Sequence, residues 1–310
     1  LSSADKNKQN PSSKFLPNLF VLGAAKCGTT SLHQHLSAMP ECCMSEPKEP
    51  FFFECEYEKG LSFYQQKYFA HYKDEPYIGE ARHRNLYLPH VPKRIAEVNP
   101  RAKLLLILRN PTERAFSHWW HAHSRGYDSL SFEKAIDADL ERIAAGKLLT
   151  TEQEIATYCS VEDHVTFYRT YVDSGYYLQQ LERYLELFPR EQLKIVLTED
   201  LNRNPGKTIK ELRAFLELTD AYTPTAPETV ANRMKKREAG KRTHRLVRST
   251  GIQYLLPAST KQWIYQFYNR KMLSLPRISS KMKRLLNNHY EPHNAALSEF
   301  MQRDLSHWNE

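Results

Sequence analysis

The chain has 310 residues, 41% of them hydrophobic and 26% charged, which suits a folded α/β protein and excludes a disordered polymer. Ten glycines exclude a collagen-like or glycine-linker protein, and no apolar run approaches the ~18–20 residues of a membrane span. A formal net charge of +8 favours a polyanionic partner: nucleic acid, a phosphate ligand, a sulfated sugar or an acidic protein.

Residues 1–16 are hydrophilic at their start, lack the apolar core of a signal peptide and read as a linker or trimmed chain end. Residues 20–22 (FVL) form a strand-sized run that leads into Gly23-Ala-Ala-Lys26-Cys-Gly28-Thr29-Thr30, and residues 31–36 follow with helical spacing. A second strand is expected over 103–108 (KLLLIL), a continuous apolar run suited to burial on both faces. It ends at Arg109-Asn110-Pro111, and a helix follows over 112–124 with Pro near its start. Residues 177–188 read as a helix stopped by Pro189, 193–197 as a third strand and 208–218 as another helix. Residues 222–280 are irregular and basic, with eight Lys or Arg against one acid in 231–249, and read as a mobile lid. The helical pattern returns over 281–308. Alternating strands and helices predict a P-loop-like three-layer α/β fold, its central sheet mainly parallel and flanked by helices. Five cysteines, an odd count without a paired framework, point to a reducing, cytoplasmic setting.

A glycine loop between strand and helix is an anion cradle, because amides of the first helical turn have no intrahelical partner and point at the ligand. Gly23 and Gly28 permit close approach, Thr29 and Thr30 add hydroxyls and Lys26 adds a point charge. The nucleotide triphosphatase pattern places Lys after the second Gly, whereas Lys26 precedes Gly28 by two residues. The 103–108 strand runs into Arg109 and not into a magnesium-binding Asp, so a metal-free phosphate site fits better. The Cys and His spacings predict no metal site.

The run Ala25-Lys26-Cys27-Gly28-Thr29-Thr30-Ser31-Leu32 resembles the 5′-phosphosulfate loop of sulfotransferases that use 3′-phosphoadenosine 5′-phosphosulfate (PAPS), with Ala25 in place of the family's Pro. Arg109 followed eight residues later by Ser117 resembles the motif that binds the donor's 3′-phosphate, where a dianion meets a fork-shaped donor and a hydroxyl. Lys48-Glu49-Pro50-Phe51-Phe52-Phe53, Gly79-Glu80, Ser174-Gly175-Tyr176-Tyr177 and Tyr290-Glu-Pro292-His-Asn294 extend the similarity to the heparan-sulfate-type branch and its bacterial relatives. The resemblance implies a single sulfotransferase domain over 17–310.

What the resemblance implies for the site is specific. Lys26 steadies the leaving phosphate oxygen, and Cys27, Gly28, Thr29, Thr30 and Ser31 line the donor loop. Glu49 holds the general-base position, with burial by residues 51–53 making it useful near neutral pH. His83 is the rival base. Ala81 stands where the branch has Lys, so Arg82 beside it, with Lys48, faces the acceptor. Lys241 and Arg242 loosely match a late loop that closes over the nucleotide, leaving 3′-phosphoadenosine 5′-phosphate as product. His118, His121, His123 and His164 carry less weight. The expected acceptor is the β-hydroxyl of a polyketide or acyl chain on an acidic carrier protein, which suits the positive charge; a heparan-like glycan hydroxyl is the alternative. A nucleotide kinase and a basic nucleic-acid-binding module are the rival classes, and for the latter nonspecific binding would collapse with salt.

Overall fold

The computed structural model describes residues 15–149, 151–160, 169–218 and 276–310. Lys241, Arg242, His164 and nearly all of the expected lid lie outside them. The described residues group into two compact units: one within Leu1–Arg109, Leu149–His164 and Tyr177–Ala231, the other within Asn110–Leu148, Val165–Tyr176 and Asn232–Glu310.

The first unit holds a five-stranded sheet. Its strands are β1 (Leu19–Gly23), β2 (Cys42–Met44), β3 (Tyr77–Ala81), β4 (Lys103–Leu108) and β5 (Leu193–Leu197), in the order β2-β3-β1-β4-β5. Every pairing is parallel, with Leu19 opposite Gly79 on one side and Lys103 on the other. β1 is buried at all five positions and β4 at five of six, as a sheet covered on both faces requires. The helices α1 (Thr29–Ser37), α2 (Gly60–Tyr68), α3 (Arg84–Tyr87) and α4 (Val91–Val98) precede β4. Connections leave β1 toward β2 and β3 but leave β4 toward β5, so the strand order reverses between β1 and β4. In open parallel sheets such a reversal opens a crevice at the carboxyl ends of the two strands.

In the second unit α5 (Pro111–Ser124), α6 (Phe132–Ala144) and a final helix close on one apolar core that includes Trp119, Trp120, Phe132, Tyr171, Leu286 and Tyr290. The Asn110 side chain caps α5 by accepting from Thr112 and Glu113 N–H groups, and Pro111 sits at N1, where its missing N–H costs nothing. Ser131 caps α6 through Lys134 N–H.

The remaining helices are α7 (Glu152–Ser160), α8 (Tyr177–Leu185), α9 (Thr198–Arg203) and α10 (Pro205–Phe215) of the first unit, and α11 (Ser280–Met301) of the second. Among the described residues no helix is long and apolar enough to cross a membrane. The cysteine expectation needs correcting: Cys55 and Cys159, 104 residues apart, form a disulfide. At that separation no local spacing marks the pair. Cys27, Cys42 and Cys43 are buried thiols outside the disulfide.

Candidate active site at the carboxyl ends of the strands

The loop after β1 crosses to the end of β4, where Ala24 N–H donates to Ile107 O at 2.9 Å. Lys26 and Gly28 both take left-handed backbone angles, with φ of 65° and 104°. A Cβ on Gly28 would also stand 3.3 Å from Ile107 Cδ1, so both conformation and space call for glycine. Thr198, the residue after β5, pins the turn by bridging the carbonyls of Cys27 and Leu108 with its hydroxyl. Tyr177 Oη donates to Arg109 O at 2.8 Å and lies 3.6 Å from Cys27 Sγ. The loop after β1 and half-buried Arg109 after β4 thus share the crevice at the strand reversal.

Helix α1 starts from this loop with no side-chain cap and no acid in its first turn. Its leading amides therefore face outward with a favourable dipole for an anion, and Lys26 beside them adds charge. Gly28, Thr29, Thr30 and Ser31 stand where the sequence places a phosphate loop, and these residues fit a phosphosulfate group. Ser117 lies two turns along α5, buried, in the second unit.

Beside the cradle stands an acid–base cluster. Strand β3 ends at Ala81, and Arg82 N–H continues the ladder to Val21 O at 3.2 Å. This carries His83 against the start of the loop, where a Cβ on Gly23 would be 3.1 Å from His83 O. His83 Nδ1 lies 2.5 Å from Glu49 Oε2. Lys48 Nζ donates to Glu49 Oε1 at 2.6 Å and Arg82 Nη1 donates to Oε2 at 3.1 Å. Burial alone would raise the Glu49 carboxyl, but His83, Lys48 and Arg82 outweigh it and hold the group far below the usual carboxylate range. Burial pushes the His83 imidazole below its ordinary value, with Arg82 and Arg84 adding to the effect against the pull of Glu49. An ionised carboxylate only accepts, so the shared proton sits on His83 Nδ1 and Nε2 keeps its lone pair.

This arrangement moves two expected roles. Glu49 keeps three cationic or N–H partners and is a weak proton acceptor, so the basic atom of the pair is on His83. Arg82 does not face an acceptor: its side chain is only 7% exposed, it donates to Glu54 from Nε at 2.5 Å, and its guanidinium stacks over Phe51 at 4.3 Å. A guanidinium this buried needs carboxylate partners, and Glu49 and Glu54 are those partners. Phe52 and Phe53 are buried, and Phe51 is half-buried. His33 was not singled out by its sequence context; burial and Lys48 lower its pKa to about 4, with Glu49 among the charges that oppose them. Glu54, Thr198 and Tyr177 also serve the site, and of these only Tyr177 lay in a matched motif. His123 stacks on Trp119 at 4.8 Å and His118 meets Tyr171 edge-on at 5.1 Å, so both pack inside the second unit. Among the described residues no group of three metal-ligating side chains is gathered in one place.

Comparison with known proteins gives the family. Residues 16–286 match the family described as the sulfotransferase domain. Human bifunctional heparan sulfate N-deacetylase/N-sulfotransferase 2 is 27% identical over 284 residues, covering 86% of this chain and 30% of that protein. The membrane-associated sulfotransferase kil1 of Dictyostelium discoideum is 27% identical over 266 residues, covering 66% of this chain and 56% of its own length. The chain therefore spans less than two thirds of either relative. A crystal structure of a sulfotransferase from Alicyclobacillus acidocaldarius superposes with a TM-score of 0.67 at 25% identity, covering 96% of this chain and all of that one.

Proposed function

The chain belongs to the sulfotransferase-domain family, and from that premise we propose that it moves a sulfuryl group from PAPS to an acceptor hydroxyl or amine. The observation that carries the reading is the close approach of the His83 backbone to Gly23, which opens the anion loop and where a Cβ would stand 3.1 Å from His83 O, together with the His83 side chain lying on Glu49. An anion cradle and a base thereby adjoin at one strand reversal. When bound, PAPS supplies the sulfuryl group and a leaving phosphate. The amides of Gly28 to Ser31 and the Lys26 ammonium hold that phosphate end and balance charge on the leaving oxygen. Arg109 and Ser117, which resemble the family's 3′-phosphate motif in sequence, are the proposed holders of the 3′-phosphate.

His83 Nε2 takes the acceptor proton as the acceptor's O–S or N–S bond forms and the donor's S–O bond breaks. Glu49 fixes the Nδ1–H tautomer and balances the imidazolium that results, the part a carboxylate plays behind a catalytic histidine elsewhere. Lys48 and Arg82 keep Glu49 ionised throughout.

For the acceptor, a glycan is favoured over a carrier-bound acyl chain by two observations. The relative matched over 86% of this chain carries heparan sulfate in its name. The Cys55–Cys159 disulfide suits an oxidising compartment, which removes the ground for a cytoplasmic setting. Incubating the chain with PAPS and, separately, N-deacetylated heparan, heparan sulfate and a β-hydroxyacyl carrier protein, and weighing the products, tests this. A gain of one SO3 on a glycan is expected. Gain on the carrier-bound chain alone would reverse the acceptor assignment, and magnesium-dependent ATP turnover without sulfuryl transfer would refute the reading.

A further inference from the structure

Residues Phe52–Glu56 form a single π-helical turn that places Glu54 and Cys55 side by side. Glu54 sends its carboxylate into the buried interior, where Arg82 holds it with Nε and Nη2; Arg82 Nη1 then reaches Glu49. Glu49 Oε2, shared by Arg82 and His83, is the last link. The other side of the turn is tied to α7 through Cys55–Cys159, and Cys159 Sγ also lies 3.6 Å from Glu54 O. The turn keeps further anchors in α4 and just before it: Arg94 donates to Phe53 O at 2.8 Å and to Glu54 O at 2.9 Å, and His90 Nε2 lies 3.0 Å from Glu54 O.

We propose that the Cys55–Cys159 disulfide braces the Glu49–His83 pair through Glu54 and Arg82, so that sulfuryl transfer depends on that bond being intact. Glu54 and Arg82 are positioning residues in this chain of contacts. The proposal rests on the sulfotransferase reading of the same site. With the bond open, Arg94 and His90 still retain the turn, but Glu54 loses its covalent tether. A buried carboxylate and guanidinium move together because neither tolerates losing the other. Displacement of Arg82 then frees Oε2 of Glu49, and the imidazole orientation with it. An error near 1 Å in such a group costs on the order of a hundredfold in rate. Opening the bond takes two electrons and two protons from a dithiol, which is itself oxidised to a cyclic disulfide, and leaves two thiols.

The test compares the oxidised full chain, the same chain after dithiothreitol, and a Cys55→Ser/Cys159→Ser variant, each checked for fold by circular dichroism. The buried thiols of Cys42 and Cys43 are pushed up to about 12, chiefly by burial, so alkylation of the folded, reduced chain reports mainly on the opened pair. The readouts are kcat, the donor KM and the ring resonances of His83. Opening the bond is expected to lower kcat roughly ten- to a hundredfold with donor KM unchanged and to shift the His83 resonances, the Ser/Ser variant being low and indifferent to reductant. Glu54→Gln and Arg82→Ala, which leave the disulfide in place, should fall likewise, with Arg82→Lys partly restored; these variants decide the matter if the reduced chain unfolds. Unchanged kcat and unchanged His83 resonances in a chain whose two thiols have been alkylated would overturn the proposal. If the oxidised chain transfers no sulfuryl at all, the functional reading fails, and the His83 resonances alone judge the brace.

Discussion

Carboxylate–cation clusters occur in both units, and the contrast between them separates a working site from a structural one. In the second unit Asp128, fully buried, accepts from Arg169, from Tyr171 Oη at 3.0 Å and from Leu130 N–H at 3.0 Å. Asp139, also fully buried, accepts from Val172 N–H at 2.7 Å and pairs with Arg142. Each spends an oxygen on the backbone and closes a loop. Glu49 instead meets the side chains of Lys48, Arg82 and His83, keeps 26% of its side chain exposed beside a 29% exposed His83, and takes a left-handed backbone with φ of 69°. The difference teaches that ion pairs alone mark nothing. A titratable partner, partial exposure and a place at the strand ends together mark the site.

The sharpest way to break the contrast is His83→Ala, expected to slow transfer on the order of a thousandfold in single-turnover assays. Lys26→Ala should cost on the order of a hundredfold or more and also weaken binding of 3′-phosphoadenosine 5′-phosphate by calorimetry. Asp128→Ala should act in the opposite sense. It strands three donors and lowers stability by about 3–5 kcal/mol in denaturant titration, while turnover per folded molecule stays unchanged.

Two pH dependences sharpen the same comparison. In the proposed mechanism His83 works as a neutral base with its pKa lowered, so the rate should be at its plateau near neutral pH and fall only as the pH drops below the ordinary histidine range. Retention of full activity well into the acid range would contradict a histidine base. The smallest effect concerns Glu80, buried beside the site and accepting from Tyr64 and Asn85. Burial raises its pKa from 4.5 to about 7. The folded state then holds a proton that the unfolded chain releases, so this group's contribution to stability is full below 4.5 and is lost as pH rises toward about 7. Glu80→Gln should flatten that slope in thermal melts.

The sequence was most legible where hydrophobic pattern and backbone demand coincide. The run 103–108 is a strand at the expected bounds, and the loop before α1 needs its two glycines for reasons readable without coordinates. Strands β2 and β3 escaped, one because three residues give no period, the other because Gly79 and Glu80 interrupt its apolar pattern. Glu49 and His83 stand 34 residues apart in sequence and pair only because the chain folds back on the sheet, so the two stood as rival bases when they are partners. Arg82 was placed toward the acceptor because only a chain-neighbour argument was to hand; its burial over Phe51 is a tertiary fact. Cys55–Cys159 hid for the same reason.

The most direct test of the central claim is single-turnover transfer from PAPS to N-deacetylated heparan by oxidised wild-type and His83→Ala protein, with 3′-phosphoadenosine 5′-phosphate affinity measured on the same samples. The account predicts equal affinity and a rate lower by on the order of a thousandfold in the variant. Equal rates at equal affinity would remove His83 from the reaction and contradict the mechanism.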